Sequence, residues 1–345
     1  MKKSVVIGLS GGVDSAASAL ILKKQGYEVL GVFCEMHEYS AKSLNDAKMV
    51  AEQLKIDFFT LDLQEKFEKI VVRNFLDQYA SGRTPNPCII CNPTVKFDGL
   101  VEFADKIGVN YIATGHYAGV KYNNITEKFA IIQSELKDQS YMLYRLRQEQ
   151  LKRIIFPLFN TKKDENRLVA SENGISAANN PDSQEICFIE KGIKYFDFIE
   201  QKLGKFPEGE FYLQDENKVV GKHKGLIYYT IGQRKGLNLS LNRPVYIAEI
   251  DAIDNKIVLN YDDVVNNYDI KFKDMVFQDL DDHCNKFSAQ AKIRFTQNEY
   301  DCVVEIDRKN NCGSAKFSQL QRAVTKGQSI VFYDNKKVLC GGIID

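Results

Sequence analysis

The segment Ser10-Gly11-Gly12-Val13-Asp14-Ser15 brings two glycines, two hydroxyls and a carboxylate together. Paired glycines let backbone N–H groups turn inward and the serine hydroxyls can donate beside them, so the segment suits an anion such as a phosphate. Asp14 inside that cradle suggests a magnesium ion travelling with the phosphates. The pattern is neither a Walker A sequence nor the dinucleotide fingerprint. A second chemistry lies in the cysteines. Cys88 and Cys91 follow the stiffening prolines Pro85 and Pro87, and Cys187 sits in Asp182-Ser183-Gln184-Glu185-Ile186-Cys187-Phe188. Only a thiolate attacks sulfur or binds metal, and a thiol at a helix start ionises more easily. Spacing alone leaves structural, metal-binding and sulfur-transfer roles open. Cys284, Cys302, Cys312 and Cys340 show no metal-like spacing and read as structural, and Cys34 reads as a packed residue.

These residues need elements to hold them. Val5 to Leu9 reads as a buried strand, Asp14 to Lys24 as a helix ended by Gly26, and Glu28 to Phe33 as the next strand. Helices follow over 44–54, 67–79 and 97–107, with strands over 58–63 and 111–114. Such alternation implies a parallel sheet with helices on both faces. Ligands bind such sheets at the carboxyl ends of the strands. Ser10 to Ser15 lies at one such end and Thr114-Gly115-His116 at another, so Gly115 and His116 should face a common ligand. Beyond about residue 190, spaced glycines and short alternating segments such as Val245 to Ala248 and Lys256 to Leu259 point to a small antiparallel sheet or barrel.

With 345 residues, 44% of them hydrophobic, the chain can bury two or three cores. The 46 basic and 46 acidic residues balance, but their distribution is uneven. Arg145, Arg147, Lys152, Arg153, Lys162 and Lys163 crowd one stretch, and Lys218, Lys222, Lys224, Arg234, Lys235 and Arg243 another. Each is either a solvated face or a surface that tracks phosphates. No apolar run is long enough for a membrane span, and Met1-Lys2-Lys3 passes at once into a strand, which leaves no room for a signal peptide. The expectation is a cytoplasmic protein without a membrane partner, whose eight scattered cysteines are no disulfide scaffold.

The segment Ser10 to Ser15, placed after an N-terminal strand, resembles the phosphate loop of the ATP pyrophosphatase superfamily, whose members cleave ATP between its alpha and beta phosphates. Five further motifs follow in order: Gly82-Arg83-Thr84-Pro85-Asn86-Pro87 with Cys91-Asn92; Thr114-Gly115-His116-Tyr117-Ala118; Lys137-Asp138-Gln139-Ser140-Tyr141; Asp182 to Ile189; and Tyr229-Thr230-Ile231-Gly232-Gln233-Arg234-Lys235-Gly236-Leu237. Together they resemble the tRNA-specific 2-thiouridylases. The C-terminal hundred residues carry fainter traces, Lys292-Ile293-Arg294-Phe295 and Gly327-Gln328.

The resemblance implies an adenine-nucleotide alpha hydrolase-like catalytic domain over 1–195, a small linking domain over 196–262 and a C-terminal antiparallel β-barrel over 263–345. It implies ATP with magnesium as cofactors, the anticodon stem-loop of tRNA as substrate, a sulfur-donor protein as partner, and a monomer. Gly8, Leu9, Ser10 to Ser15, including Gly11, Gly12, Val13 and Asp14, would bind ATP with Cys34 and Gly115. Asn86, Pro87 and Cys88 would line the target-base pocket, and His116, Lys137, Asp138, Gln139, Arg294, Phe295 and Gln328 would contact tRNA. By the same resemblance Cys187 carries sulfur as a persulfide and Cys91 attacks or resolves it. One departure stands out: many members of the family carry an aspartate, assigned to proton transfer, where this chain has Cys88. Cys88, Cys91 and Cys187 are also enough thiols to hold a [4Fe-4S] cluster with one open iron, so relay and cluster both remain open.

Overall fold

The computed structural model describes residues 3–180, 186–261 and 267–345. The motif residues Asp182 to Glu185 lie outside them.

The first strand, β1 (Ser4–Gly8), is followed by helix α1 (Val13–Lys24), strand β2 (Glu28–Glu35), helix α2 (Ala41–Leu54) and strand β3 (Asp57–Asp62). Two long helical stretches, α3 over 64–80 and α4 over 87–106, precede β4 (Tyr111–Ala113). A hairpin, β5 (Ala118–Asn123) and β6 (Lys128–Gln133), then leads to the short β7 (Ile154–Ile155) and helix α5 (Lys163–Glu172). Strands β3, β2, β1, β4 and β7 lie side by side in that order, all parallel. Val5, Val6 and Ile7 are fully buried because β1 is central and covered on both faces, and the small residues Ala16, Ala17 and Ala19 let α1 pack closely on the sheet.

Helix α6 (Tyr195–Leu203) precedes a four-stranded sheet made of β8 (Gly209–Leu213), β9 (Lys218–His223), β10 (Tyr246–Asp251) and β11 (Lys256–Asn260), in the order β10-β11-β8-β9. The last six strands are β12 (Asn267–Phe277), β13 (Lys286–Lys292), β14 (Tyr300–Asp307), β15 (Cys312–Gln321), β16 (Ser329–Asp334) and β17 (Lys337–Ile344). They run antiparallel in the order β12-β15-β14-β13-β16-β17, and the β12–β17 pairing closes the barrel. The β5–β6 hairpin of the first domain adds to the open flank of β17, with Ile132 opposite Lys337. Buried polar side chains tie the same junction: the Tyr141 hydroxyl donates to the Ser329 carbonyl at 2.8 Å, and Gln278 gives its amide to the Tyr144 carbonyl at 2.9 Å.

The fold class agrees with the sequence reading, but the helix expected from Phe97 starts earlier, at Pro87. Asn86 caps it, its side chain accepting from the Cys88 N–H at 3.2 Å, and Pro87 occupies the first turn, where its missing N–H costs nothing. Pro93 hid this continuity in the sequence. It lies inside the helix, and the backbone accommodates it with a π turn over Asn92–Lys96.

Candidate active site

Between β1 and α1 the loop closes on itself. The Ser10 N–H donates to Ser15 Oγ at 3.1 Å, and Ser15 Oγ donates to the Gly12 carbonyl at 3.0 Å. The loop therefore presents the N-terminal end of α1, with its positive potential, at the carboxyl end of the sheet. Gly115 backs onto that first turn so closely that a Cβ there would stand 2.7 Å from the Ser15 nitrogen. The Asp14 carboxylate accepts from the buried Tyr117 hydroxyl at 2.7 Å, and its other oxygen lies 3.8 Å from both Lys137 Nζ and Lys163 Nζ. Asn166 supports Tyr117 at 3.2 Å, and Asn180 donates to the Gly11 carbonyl at 3.0 Å. Lys137, expected at RNA, thus stands at the anion cradle. From sequence Tyr117 stood only as a member of a motif and Lys163 only in a basic stretch, neither with a role at this cradle, and Asn180 was not singled out, because topology alone brings them to residues more than 100 positions away.

The thiols gather around the start of α4. Cys88 is exposed in its first turn, whereas Cys91 is buried, its sulfur 3.7 Å from Met36 Sδ. Burial pushes the Cys91 thiol up to about 11, opposed by the Lys96 cation and by the Lys96 backbone N–H, with Cys88 and Cys34 raising it further. Cys187 is exposed as a residue, yet loss of water around its sulfur, then the Cys88 and Cys91 thiols, push it up to about 12, again opposed by Lys96. These three thiols lie within electrostatic reach of one another. Phe188 anchors Cys187 by packing against Phe67, Phe75 and Phe198 with ring centroids 5.5, 5.3 and 5.6 Å away. Cys34, expected at the nucleotide wall, sits on β2 beside this cluster, and burial pushes its thiol up to about 11.

Lys96 also faces His116. Burial, then the Lys96 charge, lower His116 to about 3, so its ring is neutral. The ring stacks on Phe97 at 5.8 Å and its Nδ1 pairs with Thr114 Oγ1 at 2.8 Å. Lys96 donates to Asn92 Oδ1 at 3.2 Å, and the buried Asn92 donates to the Met142 carbonyl at 2.9 Å. The one sequence signal for Lys96 was its place five residues after Cys91, which the π turn converts into proximity. Among the described residues, no group of three or more Cys, His, Asp or Glu side chains is close enough to hold a metal ion. The three thiols therefore do not form a ready ligand set for an iron-sulfur cluster.

The remaining expected tRNA contacts hold the protein together in this structure. Asp138 accepts from the Ser140 N–H and hydroxyl at 3.0 and 2.8 Å, and Gln139 accepts from the Tyr117 N–H at 2.9 Å. Arg294 binds Thr325 Oγ1 at 2.6 Å, and Phe295 lies 6.3 Å from the Tyr141 ring. Gln328 donates to the Thr84 carbonyl at 2.7 Å, bracing the loop that leads to Asn86. The first basic stretch is neither simply solvated nor a continuous phosphate track. Arg145 donates to the Asp274 carbonyl at 2.9 Å, Arg147 pairs with Asp98, and Arg153 pairs with Asp105 at 2.7 Å. In the second stretch Lys222, Lys224, Arg234, Lys235 and Arg243 are exposed, and Arg234 and Arg243 border a groove of about 380 Å³. Among the described residues no helix is long and apolar enough to cross a membrane.

Family models match the whole architecture: a tRNA methyl transferase HUP domain over 3–191, a tRNA methyl transferase PRC-barrel domain over 196–260 and an aminomethyltransferase beta-barrel domain over 268–344. A tRNA-specific 2-thiouridylase MnmA of Acetivibrio thermocellus is 40% identical, the match covering 99% of each chain. A tRNA-specific 2-thiouridylase MnmA of Clostridioides difficile is 38% identical over 100% of this chain and 99% of its own. With full-length similarity at this level and all three domains matched, the chain belongs to the tRNA-specific 2-thiouridylase family.

Proposed function

We propose that the protein is an ATP-dependent tRNA-uridine 2-sulfurtransferase that converts the wobble uridine to 2-thiouridine, releasing AMP and pyrophosphate. The observation that carries this reading is the presence, on one chain, of an anion cradle at Ser10 to Ser15 and a cluster of thiols, Cys88, Cys91 and Cys187. ATP with its magnesium ion would lie at the cradle, with Lys137 and Lys163 flanking its phosphates. The uridine would be turned out of its stack toward Asn86, Pro87 and Cys88, since C2 is unreachable inside a stacked loop. Its O2 attacks the alpha phosphate, pyrophosphate leaves, and the oxygen becomes part of a good leaving group.

Sulfur arrives as a persulfide on Cys187, supplied by a donor protein. The Cys91 thiolate attacks the Cys187 sulfur, a Cys91–Cys187 bond forms, the persulfide bond breaks, and its electron pair leaves on hydrosulfide. Hydrosulfide forms the bond to C2 and AMP departs with the electrons of the C–O bond. Alternatively the persulfide itself attacks C2 and Cys91 then resolves the adduct, giving the same disulfide. An external dithiol reduces that disulfide for the next cycle. Cys88 replaces the carboxylate that would serve as acid and base, so proton transfer here falls to a thiol or to water. The exposed cations of 217–243 suit the phosphates of the tRNA.

The test incubates the protein with unmodified tRNA, ATP, magnesium and a persulfide-loaded donor, then resolves the tRNA in a mercury-containing gel. A retarded band that needs ATP is expected. No band with a donor proven active on another thiolase would overturn the reading.

A further inference from the structure

Lys96 stands where the nucleotide end and the sulfur end of the site meet. The π turn over Asn92–Lys96 brings its backbone N–H to the Cys91 thiol, and its charge acts on Cys34, Cys91, Cys187 and His116 alike. Its ammonium has three donors, and one of them reaches the neutral Asn92 Oδ1 at 3.2 Å. Among the described residues no carboxylate lies within salt-bridge distance of it, although it is only partly exposed. Every group it faces is neutral at rest: three protonated thiols, an imidazole held uncharged, and a carboxamide. A half-buried cation surrounded by neutral groups is a place where an anion gains most, because little water screens the pair and no protein carboxylate competes.

We infer that Lys96 is a catalytic residue of the thiolation: its ammonium contacts the anionic sulfur and holds that charge while sulfur passes to C2 of the activated base. This inference rests on the sulfurtransferase reading. Negative charge resides on Cys91 as it attacks, moves to the departing hydrosulfide, and disappears only when the bond to C2 forms and AMP leaves. One fixed cation among Cys91, Cys187 and Cys34 can follow that charge without moving. The Asn92 carboxamide aims it, since Asn92 is itself fixed by the Met142 carbonyl, and Met142 Sδ in turn receives the Asn86 amide at 3.4 Å beside the base pocket. The arrangement links the cation to the pocket through two asparagines, each anchored on one methionine. It serves equally whether hydrosulfide or the persulfide is the nucleophile, because both are anions.

The experiment compares the full-length protein with its Lys96→Met, Lys96→Arg and Lys96→Ala variants in two assays. One is single-turnover thiolation with ATP, magnesium, unmodified tRNA and inorganic sulfide in place of the donor. The other is tRNA-dependent exchange of labelled pyrophosphate into ATP, which reads adenylation alone. Loss of one preorganised charge should slow sulfur transfer by on the order of 10²-fold in Lys96→Met, with exchange nearly unchanged and much of the rate restored in Lys96→Arg. Added propylamine should raise the rate of Lys96→Ala, which a merely structural lysine would not permit. Transfer at the wild-type rate in Lys96→Met would overturn the inference, as would a fall in exchange by the same factor, which assigns Lys96 to the nucleotide. If Lys96→Met does not fold, the arginine and amine-rescue arms decide, and failure of both to restore transfer counts against the inference. Absence of product from the wild-type protein would instead mean that the sulfurtransferase reading itself has failed.

Discussion

In the proposed relay, the residue that attacks sulfur is stored as a thiol. Cys91 and Cys187 are both held neutral by burial and by neighbouring thiols, Cys88 and Cys34 acting on Cys91 and Cys88 and Cys91 on Cys187, so the reactive form has to be drawn out by the substrate complex. Replacing Cys187 with serine should abolish thiolation from a persulfide donor, while pyrophosphate exchange persists; retained thiolation would remove Cys187 from the relay. The cradle at Ser10 to Ser15 and the cysteines could be read from sequence because phosphate binding and sulfur chemistry each restrict the residue types sharply. Tyr117, Lys163, Asn180 and Lys96 could not, being ordinary residues whose roles come from whom they meet. A thiol far from the site gives the protein a pH limit. Cys302 is buried in the barrel and its thiol is pushed up to about 12 by burial. In the unfolded chain the same thiol ionises from about 8.5, so that stabilisation is complete below that pH and fades as pH rises toward the folded value. Urea midpoints should fall between pH 8 and 10 by the equivalent of about 2 kcal/mol for this group. In Cys302→Ala the decline should be shallower; an equal decline would mean that Cys302 does not cause it.

At the scale of an element, helix α4 decides the chemistry by where it starts and how it is wound. Asn86 and Pro87 set the start, so that Cys88 falls in the first turn and Cys91 one turn further on. Pro93 sets the winding. It cannot donate, and its carbonyl is taken by the Gln150 amide at 2.8 Å, so the helix opens by one residue and Lys96 faces back toward Cys91. Hydrophobic periodicity suggested a helix only from Phe97 because a proline inside an apolar run reads as a boundary. Pro93→Ala should let the turn tighten toward α geometry and rotate Lys96 away from the thiols. Sulfur transfer should then fall by roughly 10-fold or more while the far-ultraviolet circular dichroism stays unchanged. Transfer at the wild-type rate would show that the π turn is incidental.

At the scale of the whole molecule, the barrel braces the loop 82–86 that leads to the proposed base pocket. The loop 82–86 is clasped by the turn before β16 and by Asp345 beyond β17: the Thr84 N–H donates to the Lys326 carbonyl at 2.9 Å, Gln328 returns an amide to the Thr84 carbonyl at 2.7 Å, and Arg83 pairs with Asp345 at 2.7 Å. Sequence indicated a barrel but not this clasp, since Gly327-Gln328 and Arg83-Thr84 are separated by some 240 residues and neither pair has a pattern that names the other. Gly327 is what allows the approach. Its φ is +90°, and a Cβ would stand 3.1 Å from both Arg83 Cβ and the Thr84 nitrogen. Gly327→Val therefore adds backbone strain, on the order of 1–3 kcal/mol, at a point where the barrel meets the loop leading to the proposed base pocket through main chain. The effect should concentrate on the loop that delivers Asn86 and Cys88, because the described hydrogen bonds of the cradle at Ser10 to Ser15 involve none of the residues 82–86 or 326–328. Thiolation of tRNA should drop at least tenfold, whereas ATP binding measured by titration should keep its affinity. Gln328→Ala, which deletes one hydrogen bond without strain, should give a smaller loss of the same kind, near the factor that about 1 kcal/mol implies. Equal losses of tRNA thiolation and ATP affinity in Gly327→Val would mean that the turn supports the fold in general, and the barrel would then have no special claim on the base pocket.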